Sequence, residues 1–303
     1  MDAALSAALN RSTAEAPPAV VEAMRYSLLA PGKRLRPLLS ILACEASGGN
    51  GEQALPGACA VEMVHTYSLI HDDLPAMDDD DLRRGLPTCH VKFGEALAIL
   101  AGDALLTLAF EVLGSGYAPP VAAVACVELA RGAGAAGMVG GQVLDLQADG
   151  KIEASVSREP PASAERLETI HRLKTGALFR SALRLGVYAA HPAGFGSIPP
   201  ATLASVDAFA AAFGLAFQVT DDLLDVESTA ETAGKRVGKD AARGKLTYPG
   251  LLGVGASRAK ADALGRQAVA APQMLSLVAK QGPGWCPGRI DRISRVRSPG
   301  DRS

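Results

Sequence analysis

The stretch Ala60–Gly85 reads AVEMVHTYSLIHDDLPAMDDDDLRRG. Its first part, Ala60 to Ile70, is an apolar run with helical patterning; the rest, His71 to Gly85, packs six carboxylates and two guanidiniums into fifteen residues. Crowded carboxylates repel one another and weaken a helix, so such a cluster is kept where water or cations screen it. Hard divalent cations take oxygen ligands, and Mg2+ typically accepts one or two carboxylates and completes its shell with phosphate and water. Asp72, Asp73 and Asp78 are the candidate ligands. Arg83 and Arg84 then suit phosphate oxygens, which a guanidinium can bind bidentately. A solvated acidic loop would share this composition.

A second cluster shifts the balance. Gln218-Val219-Thr220-Asp221-Asp222-Leu223-Leu224-Asp225 again closes an apolar helical run, Ala208 to Phe217. Asp221 and Asp225 share one helix face, and Gln218 and Asp222 lie on the adjoining strip. Two such clusters, each ending an apolar helix, predict two walls of one polymetal diphosphate site.

Outward from these clusters, composition sets the class. Of 303 residues, 48% are hydrophobic, mostly Ala, Leu and Val, and only 4% are aromatic. Alternating strand-like runs are scarce, which predicts an all-α protein. A net charge of −2 supplies no basic field for nucleic acid. The five cysteines (Cys44, Cys59, Cys89, Cys126, Cys286) show no CxxC spacing and predict reduced thiols in a cytoplasmic protein. Asp103 and Glu111 interrupt the longest apolar candidate, so no membrane span is expected.

In chain order, residues 1–16 predict a loosely held first helix. Lys33 and Arg36 precede or open an apolar helix over Leu38–Ala46, as a solvated turn or as an anion site. His65 stands seven residues before Asp72, on nearly the same helix face. Tyr67 stands five before it, roughly 7 Å back along the axis, either as core packing or beneath the acidic cluster. An Ala/Gly-rich helix is expected over 119–140, leading to Gln142 and Asp145, a supporting pair for the metals or a plain surface pair. Lys174-Thr175-Gly176 interrupts an apolar helix and predicts a kink, because Gly there costs ~1 kcal/mol relative to Ala. It lacks the strand and glycines of a nucleotide P-loop. A polar loop from Glu227 to Lys245, with Lys235 within it, fits a mobile lid over phosphates.

Taken together, Gly32-Lys33-Arg34-Leu35-Arg36-Pro37, Asp72-Asp73 with Asp78 and Arg83-Arg84-Gly85, Gly141-Gln142, Lys174-Thr175-Gly176, and Asp221-Asp222 with Asp225 resemble, in order and spacing, the trans-isoprenyl diphosphate synthases of the polyprenyl synthetase type. The bacterial farnesyl diphosphate synthases are the most similar in pattern. The resemblance runs from about residue 17 to about 265. It implies an isoprenoid synthase fold, a single large antiparallel helical bundle around a central cavity, assembled as a homodimer. It implies ionisation of an allylic diphosphate, attack by isopentenyl diphosphate, and proton loss. Asp72, Asp73, Asp78, Asp221, Asp222 and Asp225 would hold Mg2+, three ions in all, with Mn2+ able to substitute. Arg83, Lys174, Lys235 and Lys245 would bind the allylic diphosphate; Lys33, Arg36, His65 and Arg84 would bind isopentenyl diphosphate. Oxygens of Thr175 and Gln218 would face the developing cation, making Lys174, Thr175, Gln218 and Arg83 the catalytic set.

Product length follows from the same comparison. The Pro75-Ala76 insertion, with Tyr67 and Ser68 ahead of it, is the pattern of the bacterial farnesyl synthases, and Tyr67 would floor the cavity at fifteen carbons. A geranylgeranyl product is the nearest alternative, and a non-catalytic partner subunit is the alternative of a different class. A terpene cyclase would ordinarily replace the second acidic motif. The helical domain is expected over 1–275. Beyond about Met274 the pattern fades, and residues 276–303 read as a basic, disordered tail in place of a final amphipathic helix, as a shifted reading frame would produce.

Overall fold

The computed structural model describes residues 1–153, 163–227 and 246–270. Helix follows helix: α1 (Asp2–Ser12), α2 (Pro18–Leu28), α3 (Leu35–Ala46) and α4 (Leu55–Asp72). A two-stranded antiparallel hairpin, β1 (Leu82–Arg83) and β2 (Leu86–Pro87), follows, then α5 (Cys89–Phe93), α6 (Glu95–Gly116), α7 (Pro119–Ala133) and α8 (Met138–Ala148). α9 (Ala164–His171) runs through a π-turn at Arg172–Gly176 into α10 (Ala177–Ala189). A 3-10 turn (Phe195–Ser197), α11 (Pro200–Glu227), α12 (Tyr248–Leu252) and α13 (Val254–Val269) complete the order. Helix starts follow local chemistry. Pro18 opens α2, and the Ser163 and Thr247 side chains accept the N–H groups of Arg166 and Gly250. Among the described residues the hairpin is the only strand pairing.

The chain divides into two compact units, residues 1–129 with 181–198, and 130–180 with 199–303. In the first, α4 is buried nearly all round: Gly57 to Val64, Thr66, Tyr67 and Ile70 are all inaccessible. A helix apolar on every side belongs inside a core, and α1, α2, α3 and α6 pack against it. Leu5, Leu9, Leu28, Met63, Leu105 and Leu113 are fully buried there. Gly102 of α6 lies so close to α4 that a Cβ would run into the ring of His71.

The second unit is built on α11, whose Val206, Phe209, Ala210, Phe213, Ala216, Val219 and Leu223 are buried. α13, α12, α9 and the π-turn pack on it. Phe179 meets Phe213 and Phe217 edge to face at 5.2 and 5.4 Å. Leu167, Val219, Leu223 and Tyr248 close the core nearer the acidic motif.

Three sequence expectations need correction. α1 is not loosely held, since Leu5 and Leu9 are sealed into the core. The helix expected over 119–140 is broken between Ala133 and Met138, where Gly132, Gly134 and Gly137 make helix costly. Asp103 and Glu111 do not disqualify α6: together with α11 and the window 119–148, it is long and apolar enough to cross a membrane by length and composition alone. In this fold α6 and α11 each turn an apolar face into protein.

Candidate active site

The first acidic motif starts where α4 stops. Pro75 and Ala76 lengthen the turn, and the chain folds back so that Asp78 N–H reaches the Asp72 carbonyl at 2.9 Å. Asp72 and Asp78 thereby lie together, both half-buried. Asp73, with 3% exposure, is placed differently: its carboxylate accepts Arg83 Nε at 2.8 and 2.9 Å and Nη2 at 2.6 Å. Burial pushes the Asp73 carboxyl above its usual range, although Arg83 opposes the shift. Burial also works against the Arg83 charge, but the Asp73 hydrogen bond and nearby carboxylates hold it above the ordinary arginine value. Arg84 and Gly85 occupy the centre of the hairpin with φ of 55° and 77°. Positive φ at both central positions is the primed turn that suits a tight hairpin, and Gly85 accepts it at no steric cost.

Cations gather beside this motif. Arg84 Nη1 donates to the Pro31 carbonyl at 2.9 Å, and a Cβ on Gly32 would strike its guanidinium, so the Lys33 loop and the hairpin meet. Arg34, in a left-handed conformation at φ 49°, is neutralised by Glu62 at 2.8 Å and Asp2 at 2.9 Å. Arg36 is held down to about 10 by burial, with Glu62 opposing and Arg84 adding to the shift. His65 is pushed well below the ordinary histidine value by burial, then by Arg36, Arg84, Arg83 and Arg34. Arg34, Arg36, Arg83 and Arg84 thus all act on His65, with Glu62 and Asp73 the buried carboxylates set among them. Arg36, His65 and Arg84, grouped from the sequence, are therefore brought together. The buried Glu62, which anchors Arg34, was missed; a lone acid inside an apolar helical run was its signal.

Tyr67 is buried, its ring edge to face with His71 at 5.7 Å, and His71 Nε2 lies 3.1 Å from the Ile99 carbonyl. Burial, then Asp72, pushes the Tyr67 phenol up to about 12. Ser68 Oγ donates to the His65 carbonyl within its own helix.

The second acidic motif belongs to the other unit. Asp221 is exposed and Asp225 half-buried. Asp222, expected among the metal ligands, is buried; its Oδ2 accepts Tyr248 N–H at 2.9 Å and lies 4.0 Å from His171 Nε2. The His171 ring stacks on Tyr248 at 5.7 Å. This anchoring role for Asp222 was invisible at i to i+4 range because Tyr248 is 26 residues away. Thr175 Oγ1 donates to Gln218 Oε1 at 2.7 Å. Lys174 Nζ donates to Asp145 Oδ2 at 2.6 Å. The kink expected at Lys174-Thr175-Gly176 is a π-turn, a distortion that recurs at functional sites. Lys235, Lys245 and the tail from 276 lie outside the described residues.

The polyprenyl synthetase family model matches residues 17–277. The chain belongs to the polyprenyl synthetase family. Farnesyl diphosphate synthase of Escherichia coli strain K12 is 53% identical over 246 residues, covering 80% of this chain and 78% of that one. Geranylgeranyl pyrophosphate synthase 11 of Arabidopsis thaliana is 49% identical over 269 residues, covering 87% and 72%. Among solved structures, a Helicobacter pylori geranyltransferase complexed with magnesium and isoprenyl diphosphate superposes with a TM-score of 0.73 at 30% identity, covering 88% and 89%. This polyprenyl synthetase is thus a prenyl-group transferase with the all-α isoprenoid synthase fold.

The donor set of this polyprenyl synthetase fits Mg2+. Among the described residues no three His, Cys, Asp or Glu side chains converge on one point. A Mg2+ ion typically takes one or two carboxylates and shares the rest of its shell with phosphate and water. Asp72 and Asp78 in one unit, both half-buried, and Asp221 and Asp225 in the other, exposed and half-buried, are oxygen donors of the class that Mg2+ prefers.

Proposed function

We propose that this polyprenyl synthetase condenses isopentenyl diphosphate with dimethylallyl and then geranyl diphosphate to give farnesyl diphosphate. The observation that carries the product length is Tyr67, a buried ring one helical turn and a little more behind Asp72. The likeness to the E. coli enzyme supports it.

In this reading Lys33, Arg36, His65 and Arg84 hold the isopentenyl diphosphate. Neutral His65 can donate a hydrogen bond without adding to the crowded positive charge. Arg83, Lys174, Lys235 and Lys245 hold the allylic diphosphate, and fixed cations there stabilise the charge that develops as it departs. Mg2+, bound through Asp72, Asp78, Asp221 and Asp225, would supply further charge neutralisation of the leaving group. Asp73 orients Arg83, and Asp222 fixes the start of α12. The Thr175–Gln218 hydrogen bond fixes the carboxamide whose oxygen stabilises the allylic cation.

Homodimer assembly and cytoplasmic residence belong to the same proposal. Ile99, Leu100 and Val127, exposed by 43%, 56% and 49%, support an apolar subunit contact. Free Cys44, Cys59, Cys89 and Cys126 support a reducing compartment. A geranylgeranyl product is the second reading, favoured by the 49% identity to the Arabidopsis enzyme.

The test is incubation of purified protein with Mg2+, isopentenyl diphosphate and each allylic diphosphate, with products sized by chromatography. A fifteen-carbon product is expected. A twenty-carbon product keeps the chemistry and removes the Tyr67 floor; no product with any starter removes the reading.

A further inference from the structure

Asp145 was expected from sequence either beside the metals or on the surface with Gln142. It is not on the surface. It is a buried carboxylate, 8% exposed, near the end of α8, and its Oδ2 accepts Lys174 Nζ at 2.6 Å across 29 residues of sequence. One turn earlier, Gly141 is packed so closely that a Cβ would collide with the Lys174 backbone. α8 therefore fixes this lysine twice, at its main chain through Gly141 and at its ammonium through Asp145. The intervening Gln142 leaves a buried Nε2 with no hydrogen-bond partner, a polar atom at the same face that a bound group could satisfy. A free lysine carries about 2 kcal/mol of rotamer entropy. Set on a π-turn, it would sample several directions unless tethered.

We propose that Asp145 is a positioning residue that holds the Lys174 ammonium in the orientation in which it meets the allylic diphosphate. This rests on the reading above, in which Lys174 binds that group. The consequence is specific: the loss of catalysis on removing Asp145 should depend on Lys174 being present.

A double-mutant cycle tests it, using wild type, Asp145→Asn, Lys174→Met and the double variant. Each is checked for fold by circular dichroism and thermal melting, then assayed with Mg2+, isopentenyl diphosphate and geranyl diphosphate. Asp145→Asn is expected to lower kcat/KM for geranyl diphosphate about tenfold to a hundredfold, the scale of a misplaced contact. KM for isopentenyl diphosphate should stay within about twofold. In the Lys174→Met background the same substitution should cost nothing further. An undiminished kcat/KM in Asp145→Asn, or an equal loss in both backgrounds, overturns the proposal. Should the Asn variant not fold, Asp145→Glu is carried through the same cycle and must likewise lose activity only when Lys174 is present. Inactive wild-type protein would instead count against the function proposed above.

Discussion

Tyr67 shows what one side chain decides. Its position five residues ahead of Asp72 was legible from sequence, but its burial against His71 was not. Tyr67→Ala or Tyr67→Met should lengthen the product to twenty carbons or more, read by chromatography of the dephosphorylated prenols; an unchanged product would remove the floor. Arg36 carries a charge whose proton affinity burial has already lowered, so its removal should not destabilise the fold. Arg36→Gln should keep or raise Tm while raising KM for isopentenyl diphosphate about tenfold to a hundredfold. That is the loss of a charge-assisted hydrogen bond worth about 1.5–3 kcal/mol. His65 governs a pH effect. The unfolded imidazole takes up a proton near pH 6.5, whereas the folded one resists it because of burial and four arginines. The unfolded state then binds more protons, so the contribution is full above about pH 6.5 and is lost as pH falls below it toward the lower folded value. Urea unfolding across pH 5–8 should show that loss, and His65→Gln should flatten it.

At the scale of elements, the caps and breakers of the sequence placed most helix ends. Where they did not, tertiary contact was the cause. The glycine-rich stretch after Ala133 ends α7 earlier than apolar patterning suggested, since patterning alone does not count the backbone entropy of four glycines in nine residues, Gly132 to Gly140. The interruption at Lys174-Thr175-Gly176 was legible, but its form as a π-turn depends on α8 and α11. Gly141 and Gly214 allow their backbones to close on Lys174 and Gly176. Gly141→Ala should therefore cost about 1–3 kcal/mol through overpacking, lower Tm, and depress activity by moving Lys174. Thermal melting and steady-state assay in parallel check this; an unshifted Tm would show that α8 has room to move.

For the whole molecule, metal and fold should be separable. Asp73 and Asp222 are already satisfied by Arg83 and by the Tyr248 N–H, so the acidic motifs do not depend on a bound ion for their place in the chain. Treatment with EDTA should abolish product formation and leave the far-ultraviolet circular dichroism and Tm unchanged; a large fall in Tm would mean that the ions are structural. Both acidic motifs, the cationic loop and the all-α class were determined by the sequence alone. They depend on charge spacing and helical period, which act over a few residues. How each carboxylate is held was decided only by tertiary structure. Asp72, Asp73 and Asp78, and likewise Asp221, Asp222 and Asp225, are chemically equivalent in the chain. They become different only when burial and partners elsewhere in the chain, Arg83 for Asp73 and the Tyr248 N–H for Asp222, set them apart.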